Sequence, residues 1–136
     1  MLAAFVVPIV FFCLGCGPKT RDVAPVNGHA FLDDKPMTRG YVGTLPTSGR
    51  GASGNINPDG TFELHTFSAH DGALLGTHKV GVVAYDESGQ RSPESEYGKL
   101  LVPKRYTNPE TSGFTIDVPE DGLDDVELKL YTKEQK

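Results

Sequence analysis

The sequence has no tryptophan and only two cysteines, Cys13 and Cys16, in 136 residues. Without tryptophan, and with 9% aromatic residues, it lacks the usual stacking platforms of a carbohydrate-binding module. Two cysteines this close together near the start cannot staple the body, which excludes a disulfide framework. Cations are the minority: 13 Lys and Arg face 18 Asp and Glu, for a formal net charge of −5. That balance disfavours nonspecific nucleic-acid binding and an electrostatic grip on anionic lipid. No stretch of the body sustains a 3.6-residue hydrophobic period, and no internal repeat is apparent. The length fits one domain rather than two.

What is present is uneven. Thirteen of the first fifteen residues are hydrophobic, and the rest of the chain is markedly more polar. The run Leu2–Leu14, interrupted only by Pro8, is too short to span a bilayer as a helix, which needs roughly 20 residues. Its length suits the apolar region of a signal peptide. It ends in Cys13-Leu14-Gly15-Cys16, which resembles a bacterial lipobox, with a small residue before the cysteine that is acylated. Cys13 stands where the lipobox usually has Leu, and no Lys or Arg precedes the run. A plain secretory signal or an overlong first strand are the competing readings. The expectation is a lipoprotein signal over residues 1–15, cleavage between Gly15 and Cys16, and an acylated (for example palmitoylated) Cys16. Residues 16–24 then form the lipidated cysteine and its polar tether. Acylation also accounts for a lone cysteine in an exported chain.

The whole chain has 16 glycines and ten prolines, as expected for many short strands joined by turns. Period-2 alternation starts at Val26, where Val26, Gly28, Ala30 and Leu32 alternate with Asn27, His29 and Phe31. Asp33-Asp34-Lys35-Pro36 reads as a turn. Further strands are expected at 40–45, 53–56, 61–67, 77–85, 114–118 and 126–131. Asn57-Pro58-Asp59-Gly60 joins two of them as a hairpin, since Pro presets φ and Gly accepts φ > 0. Phe62 and Leu64 should face inward, with Glu63 and His65 outward. In the 77–85 strand, Val80, Val82 and Ala84 should share one face. Seven antiparallel strands in one 25–131 domain suggest an all-β two-sheet sandwich, followed by a polar tail at 132–136. The stretch 86–112 has no clear periodicity. Its polar first part, 86–97, is expected to be mobile, and 101–112, with its apolar anchors, to pack on the sheets.

Several segments in register resemble one family. Pro25-Val26-Asn27-Gly28 with Leu32-Asp33-Asp34-Lys35-Pro36-Met37 is similar to the opening of carboxypeptidase regulatory-like domains. So are Asp59-Gly60-Thr61-Phe62-Glu63-Leu64, then Asp71-Gly72-Ala73 with Gly76-Thr77-His78-Lys79-Val80. Lys104–Gly113 resembles a segment of small bacterial envelope lipoproteins that carry this domain. Asp34 replaces a usual Gly, and His78 a usual Tyr. The resemblance implies a transthyretin-like (prealbumin-like) sandwich and no particular activity.

Candidate chemistry is sparse. Asn55–Gly60 looks like half of an EF-hand loop, but position 12 falls on Thr66 and the closing carboxylate is missing. His29, His65, His70 and His78 form no metal-binding spacing and read as scattered exposed histidines. A strand-built site from His65, His70 and His78 is the sharper alternative. The acidic run of Glu120, Asp121, Asp124 and Asp125 offers oxygen ligands for Ca2+, and equally reads as a charged turn that blocks edge pairing. Gly51-Ala52-Ser53-Gly54 is no nucleophile elbow. The end, Tyr131–Lys136, lacks the Tyr-Arg-Gly-Ser tail of transthyretin-like hydroxyisourate hydrolases. Tyr106, Asn108, Thr111 and Ser112 are the candidate ligand or partner contacts, on a loop. The alternative is that Pro109 and Gly113 set turns there while Tyr106 packs inward.

The sequence therefore points to a non-enzymatic lipoprotein of the cell envelope, anchored to a membrane through lipid and facing the periplasm or the outer surface. It needs no cofactor or metal, no nucleic acid and no small-molecule substrate, and its partner is an envelope protein or a glycan. The rival expectation is a metal-binding or hydrolytic protein using surface histidines or the acidic loop.

Overall fold

The computed structural model describes residues 22–88 and 97–134. The signal segment, Gly15, Cys16 and residues 89–96 of the polar loop lie outside them. The described chain is all-β, with one short 3-10 turn. The strands are β1 (Val23–Ala24), β2 (Val26–Leu32), β3 (Lys35–Pro36), β4 (Tyr41–Pro46), β5 (Ser53–Asn55), β6 (Thr61–Glu63), β7 (Ala73–Leu74), β8 (Gly76–Val83), β9 (Tyr85–Asp86), β10 (Lys99–Leu100), β11 (Phe114–Val118) and β12 (Leu123–Leu130). The 3-10 turn, Lys104–Thr107, lies between β10 and β11.

One sheet has the order β11-β8-β4-β5, antiparallel throughout. The other has β12-β2-β3, with β6 also paired to β2. Every expected strand overlaps an observed one, but the expectation of purely antiparallel pairing needs correction. β12 runs parallel to β2, with Val126 opposite Gly28 and Leu130 opposite Leu32. A parallel pair requires a long connection, and these strands are joined through nearly the whole domain. Tight-turn signals report only neighbours in sequence and carry no information on such a pair.

The expected hairpin at Asn57–Gly60 forms, with the Asn57 N–H donating to the Thr61 carbonyl at 2.8 Å. Its arms stay bridged at Ile56–Phe62 and Ser53–His65, but their main ladders diverge. β5 joins β4, while β6 joins β2, so the turn carries the chain from one sheet to the other. Phe62 and Leu64 are buried, whereas Glu63 and His65 are exposed. Both sheets feed one core that includes Val26, Ala30, Val42, Leu64, Val80, Val82, Leu128 and Leu130. β2 is crossed closely on both sides. A Cβ on Gly28 would lie 2.3 Å from the Val126 carbonyl oxygen and 2.6 Å from the Phe62 ring, which explains glycine there.

Several short elements depart from expectation. Val23 and Ala24, assigned to the tether, pair with Leu74 and Ala73. The turn expected over Asp33–Pro36 is tighter: Asp33 and Asp34 both take positive φ (50° and 65°), and Lys35–Pro36 already pair back with Leu32 and Phe31. Two left-handed central residues match the twist of a two-residue hairpin. In the unpatterned stretch, Tyr85 and Asp86 pair with Leu100 and Lys99. Val102 and Tyr106 do anchor the segment that follows. Thr132, expected in a free tail, is tied back, its N–H and hydroxyl donating to the Asp33 carboxylate at 2.9 and 2.8 Å. Those two bonds hold Asp33 below the ordinary carboxyl range. Among the described residues no helix is long and apolar enough to cross a membrane.

Candidate functional site

The segment holding Tyr106, Asn108, Thr111 and Ser112 is knitted into the domain. Tyr106 is buried and stacks on Phe114, with ring centroids 5.5 Å apart. Its hydroxyl accepts from Arg105 at 2.9 Å and from the Tyr131 N–H at 3.1 Å. The same guanidinium lies over the Tyr106 ring and donates to the Tyr131 carbonyl. The Ser112 hydroxyl donates to the Val80 carbonyl and accepts the Phe114 N–H. Asn108 accepts the Glu110 N–H, and the Thr111 hydroxyl donates to the Arg105 carbonyl. Pro109 sits against Gly81 on β8, where a Cβ would meet its ring at 3.0 Å. Asn108 and Thr111 are exposed, while Tyr106 and Ser112 are buried, so the four do not converge on one opening.

The histidines separate as well, and the expectation of four exposed rings is corrected at His78. This ring is fully buried between Thr44 Oγ1, 3.0 Å from Nδ1, and the Leu74 carbonyl, 2.7 Å from Nε2. A carbonyl only accepts, so Nε2 carries a proton, and in the neutral ring Nδ1 accepts the Thr44 hydroxyl proton. His78 shares the inward parity of Val80, Val82 and Ala84, the signal that would have placed it. His65 and His70 line a shallow cleft with Asn55, Asn57 and Glu63. His70 Nδ1 lies 3.0 Å from Glu63 Oε2 there, with both side chains well exposed. His78 is buried and does not line this cleft, so the three rings His65, His70 and His78 do not come together as a metal-holding group.

The calcium candidates are occupied by local bonds or open to solvent. The Asp59 carboxylate accepts the Thr61 hydroxyl at 2.6 Å and its N–H at 3.0 Å, which holds the carboxyl below its ordinary value. Glu120, Asp121, Asp124 and Asp125 are all exposed around the Pro119–Gly122 turn. Among the described residues no group of three or more His, Cys, Asp or Glu is arranged to hold a metal ion.

A further concavity among the described residues lies on the outer face of the β11-β8-β4-β5 sheet. It is a groove of about 750 Å3 involving Arg39, Tyr41, Asn55, Tyr85, Glu87 and Tyr97 over a floor of Gly40, Val83 and Ala84. Register builds it. Tyr41 is opposite Val83 on one side and Asn55 on the other, while the next row inward, Val42, Val82 and Gly54, is buried. Alternation therefore puts Tyr41, Val83 and Asn55 on the face turned away from the core. The Tyr41 ring leans along its strand above Gly43, whose added Cβ would meet Cε1 at 3.4 Å. The β9–β10 pair brings Tyr97 beside Tyr85, ring centroids 6.0 Å apart. Asp86, at the groove's end, is held below the ordinary carboxyl range first by the Ser88 N–H, with Arg39 and Lys99 adding to the effect. Sequence reasoning passed over this group because its members are distant along the chain and carry no motif. The visible signal was an outward-phased tyrosine on each of two expected strands.

Comparison of the chain with protein-family models, curated proteins and solved structures finds no match.

Proposed function

We propose that this chain is a membrane-anchored, non-enzymatic binding module of the cell envelope, folded as a transthyretin-like β-sandwich. The observation that carries the binding role is the tyrosine-lined groove on the outer sheet face, an open concavity with few polar groups around an apolar floor. Two sheets sharing one core, with the chain passing between them at Asn57–Gly60, support the sandwich reading. So does the resemblance to carboxypeptidase regulatory-like domains across Pro25 to Leu130. The anchor is supported by the apolar run ending in Gly15-Cys16. Acyl chains on Cys16 contribute about 0.8 kcal/mol per buried CH2, so two or three chains hold the protein to a bilayer. The short polar tether then leaves the groove within reach of envelope components.

The test is Cys16→Ser. The wild type should sediment with membranes and incorporate a clickable palmitate analogue. The variant should lose the label, run more slowly on a gel because the signal is retained, and shift its fractionation. An unlabelled wild type, or a variant with unchanged mobility and label, overturns the anchor.

A further inference from the structure

We propose that the groove between Tyr41 and Tyr97 binds a neutral saccharide. The proposal rests on the binding-module reading above and not on its anchor. Three tyrosines line the groove, and two of them are open to solvent: Tyr41 at 46% and Tyr97 at 74% exposure. A tyrosine ring offers a negative π face that attracts the weakly positive C–H face of a pyranose, and it loses little entropy on binding. Gly43 keeps the strand beneath Tyr41 bare, so the ring lies along the sheet as a platform. The single-tryptophan platform that composition lacks is replaced here by rings gathered from three segments.

The polar rim matches a polyhydroxyl ligand. Arg39 only donates, Glu87 only accepts, and Asn55 does both, the complement that vicinal hydroxyls require. The charges offset one another: Arg39 and Lys99 stand near Asp86, and Glu87 follows it. A phosphate or carboxylate ligand would find no cationic surplus, so the ligand is neutral. The volume, about 750 Å3, falls in the range of small-ligand sites, roughly 300–1,000 Å3. Nine residues line the groove, far fewer than the roughly 20–30 a side of a stable protein interface. Strand addition by a peptide is also closed off at β5. Tyr41 pairs with Asn55 on one side, and on the other Ser53 exchanges both backbone bonds with His65 at 2.9 Å.

Because the chain has no tryptophan, its intrinsic emission comes from tyrosine, and three of its five tyrosines line the groove. The full chain, held in dimethyldodecylamine oxide micelles to avoid sugar headgroups, is titrated with chitotetraose, cellotetraose and maltotetraose. At least one should change the tyrosine emission saturably, with a dissociation constant at or below about 1 mM. Tyr41→Ala and Tyr97→Ala should each weaken that binding about tenfold, while Leu45→Ala, on the same face outside the groove, leaves it unchanged. Should Tyr41→Ala lose the β signature in circular dichroism, Arg39→Ala and Tyr97→Ala, both at the rim, carry the comparison. No saturable change with any of the three sugars up to about 10 mM overturns the proposal. So does binding that the rim variants leave intact, or a chain dimer that Tyr41→Ala dissociates, which assigns the groove to a second copy. None of these outcomes touches the Cys16 labelling, and loss of that labelling does not touch the titration.

Discussion

The Thr44 hydroxyl sits between two partners: it accepts the Ala52 N–H at 2.9 Å and faces His78 Nδ1 at 3.0 Å. One side chain on β4 thus links β8 to the loop before β5, and His78 extends the link to Leu74 in β7. No buried side-chain polar atom among the described residues lacks a partner, so this network is fully satisfied. A satisfied buried network is costly to open, because each remaining member loses its bond without regaining water.

His78→Ala should therefore destabilise the domain by about 2–4 kcal/mol, from the cavity and the orphaned Leu74 carbonyl together. Thr44→Val should cost about 1–2 kcal/mol. Urea denaturation of both and of the double variant should show a coupling of about 1 kcal/mol. Additive losses would mean that the two side chains do not interact.

Two glycines with similar backbone angles should respond very differently to alanine. Gly72 has φ +87°, and its Cβ would fall 1.8 Å from the Ala24 carbonyl oxygen, between the paired strands β1 and β7. Gly113 has φ +82°, with nothing within 4 Å. Gly113→Ala should cost only the left-handed conformation, about 1–2 kcal/mol. Gly72→Ala adds a backbone clash and should cost roughly 3 kcal/mol or more, or detach β1 from the domain. Thermal unfolding of the pair separates them, and equal losses would contradict the close approach at Ala24.

The strands were legible and their partners were not. Alternation alone places Phe62, Leu64, Val80 and Val82 inside, because a half-buried strand has a period of two. The same parity covers His78, but an imidazole is not counted as apolar, so the apolar pattern stops at Val80. β1, β3, β7, β9 and β10 are two-residue pairs, too short to hold any period. The β2–β12 pair joins opposite ends of the domain, and the groove depends on Tyr41 meeting Val83 in register and on Tyr97 returning beside Tyr85. Those are facts of pairing between distant segments. A spacing rule along the chain cannot reach them.

Tyr106→Phe tests whether the 3-10 segment is held by its ring or by its hydroxyl. The ring keeps its stack on Phe114, and Arg105 keeps its bond to the Tyr131 carbonyl at 3.0 Å. Only the bonds to Arg105 and the Tyr131 N–H are lost. The expected loss is about 1 kcal/mol by urea denaturation. Tyr106→Ala should exceed it by several-fold, since it also removes a buried ring. Comparable losses for the two variants would show that packing contributes little here.

Asp71 supplies the pH dependence. Its carboxylate accepts the N–H groups of Thr66 at 2.7 Å, Phe67 at 2.9 Å and Ser68 at 2.9 Å, closing the loop after β6. Partial burial raises its pKa, but the three donors outweigh that and leave the carboxyl below its ordinary value. The folded state thus releases this proton at lower pH than the unfolded chain, whose Asp titrates near about 3.9. Between those values the unfolded state binds more protons, so stability rises with pH. The contribution is fully present above about pH 4–5 and is lost as pH falls through the folded-state value. Asp71→Asn keeps one acceptor oxygen and no titration, and should cost about 1–2 kcal/mol at neutral pH. Urea midpoints measured from pH 6 downward should converge for wild type and variant as the wild-type carboxyl is protonated. A gap that stays constant to the lowest pH would show that the ionised carboxylate is not what those three N–H groups hold.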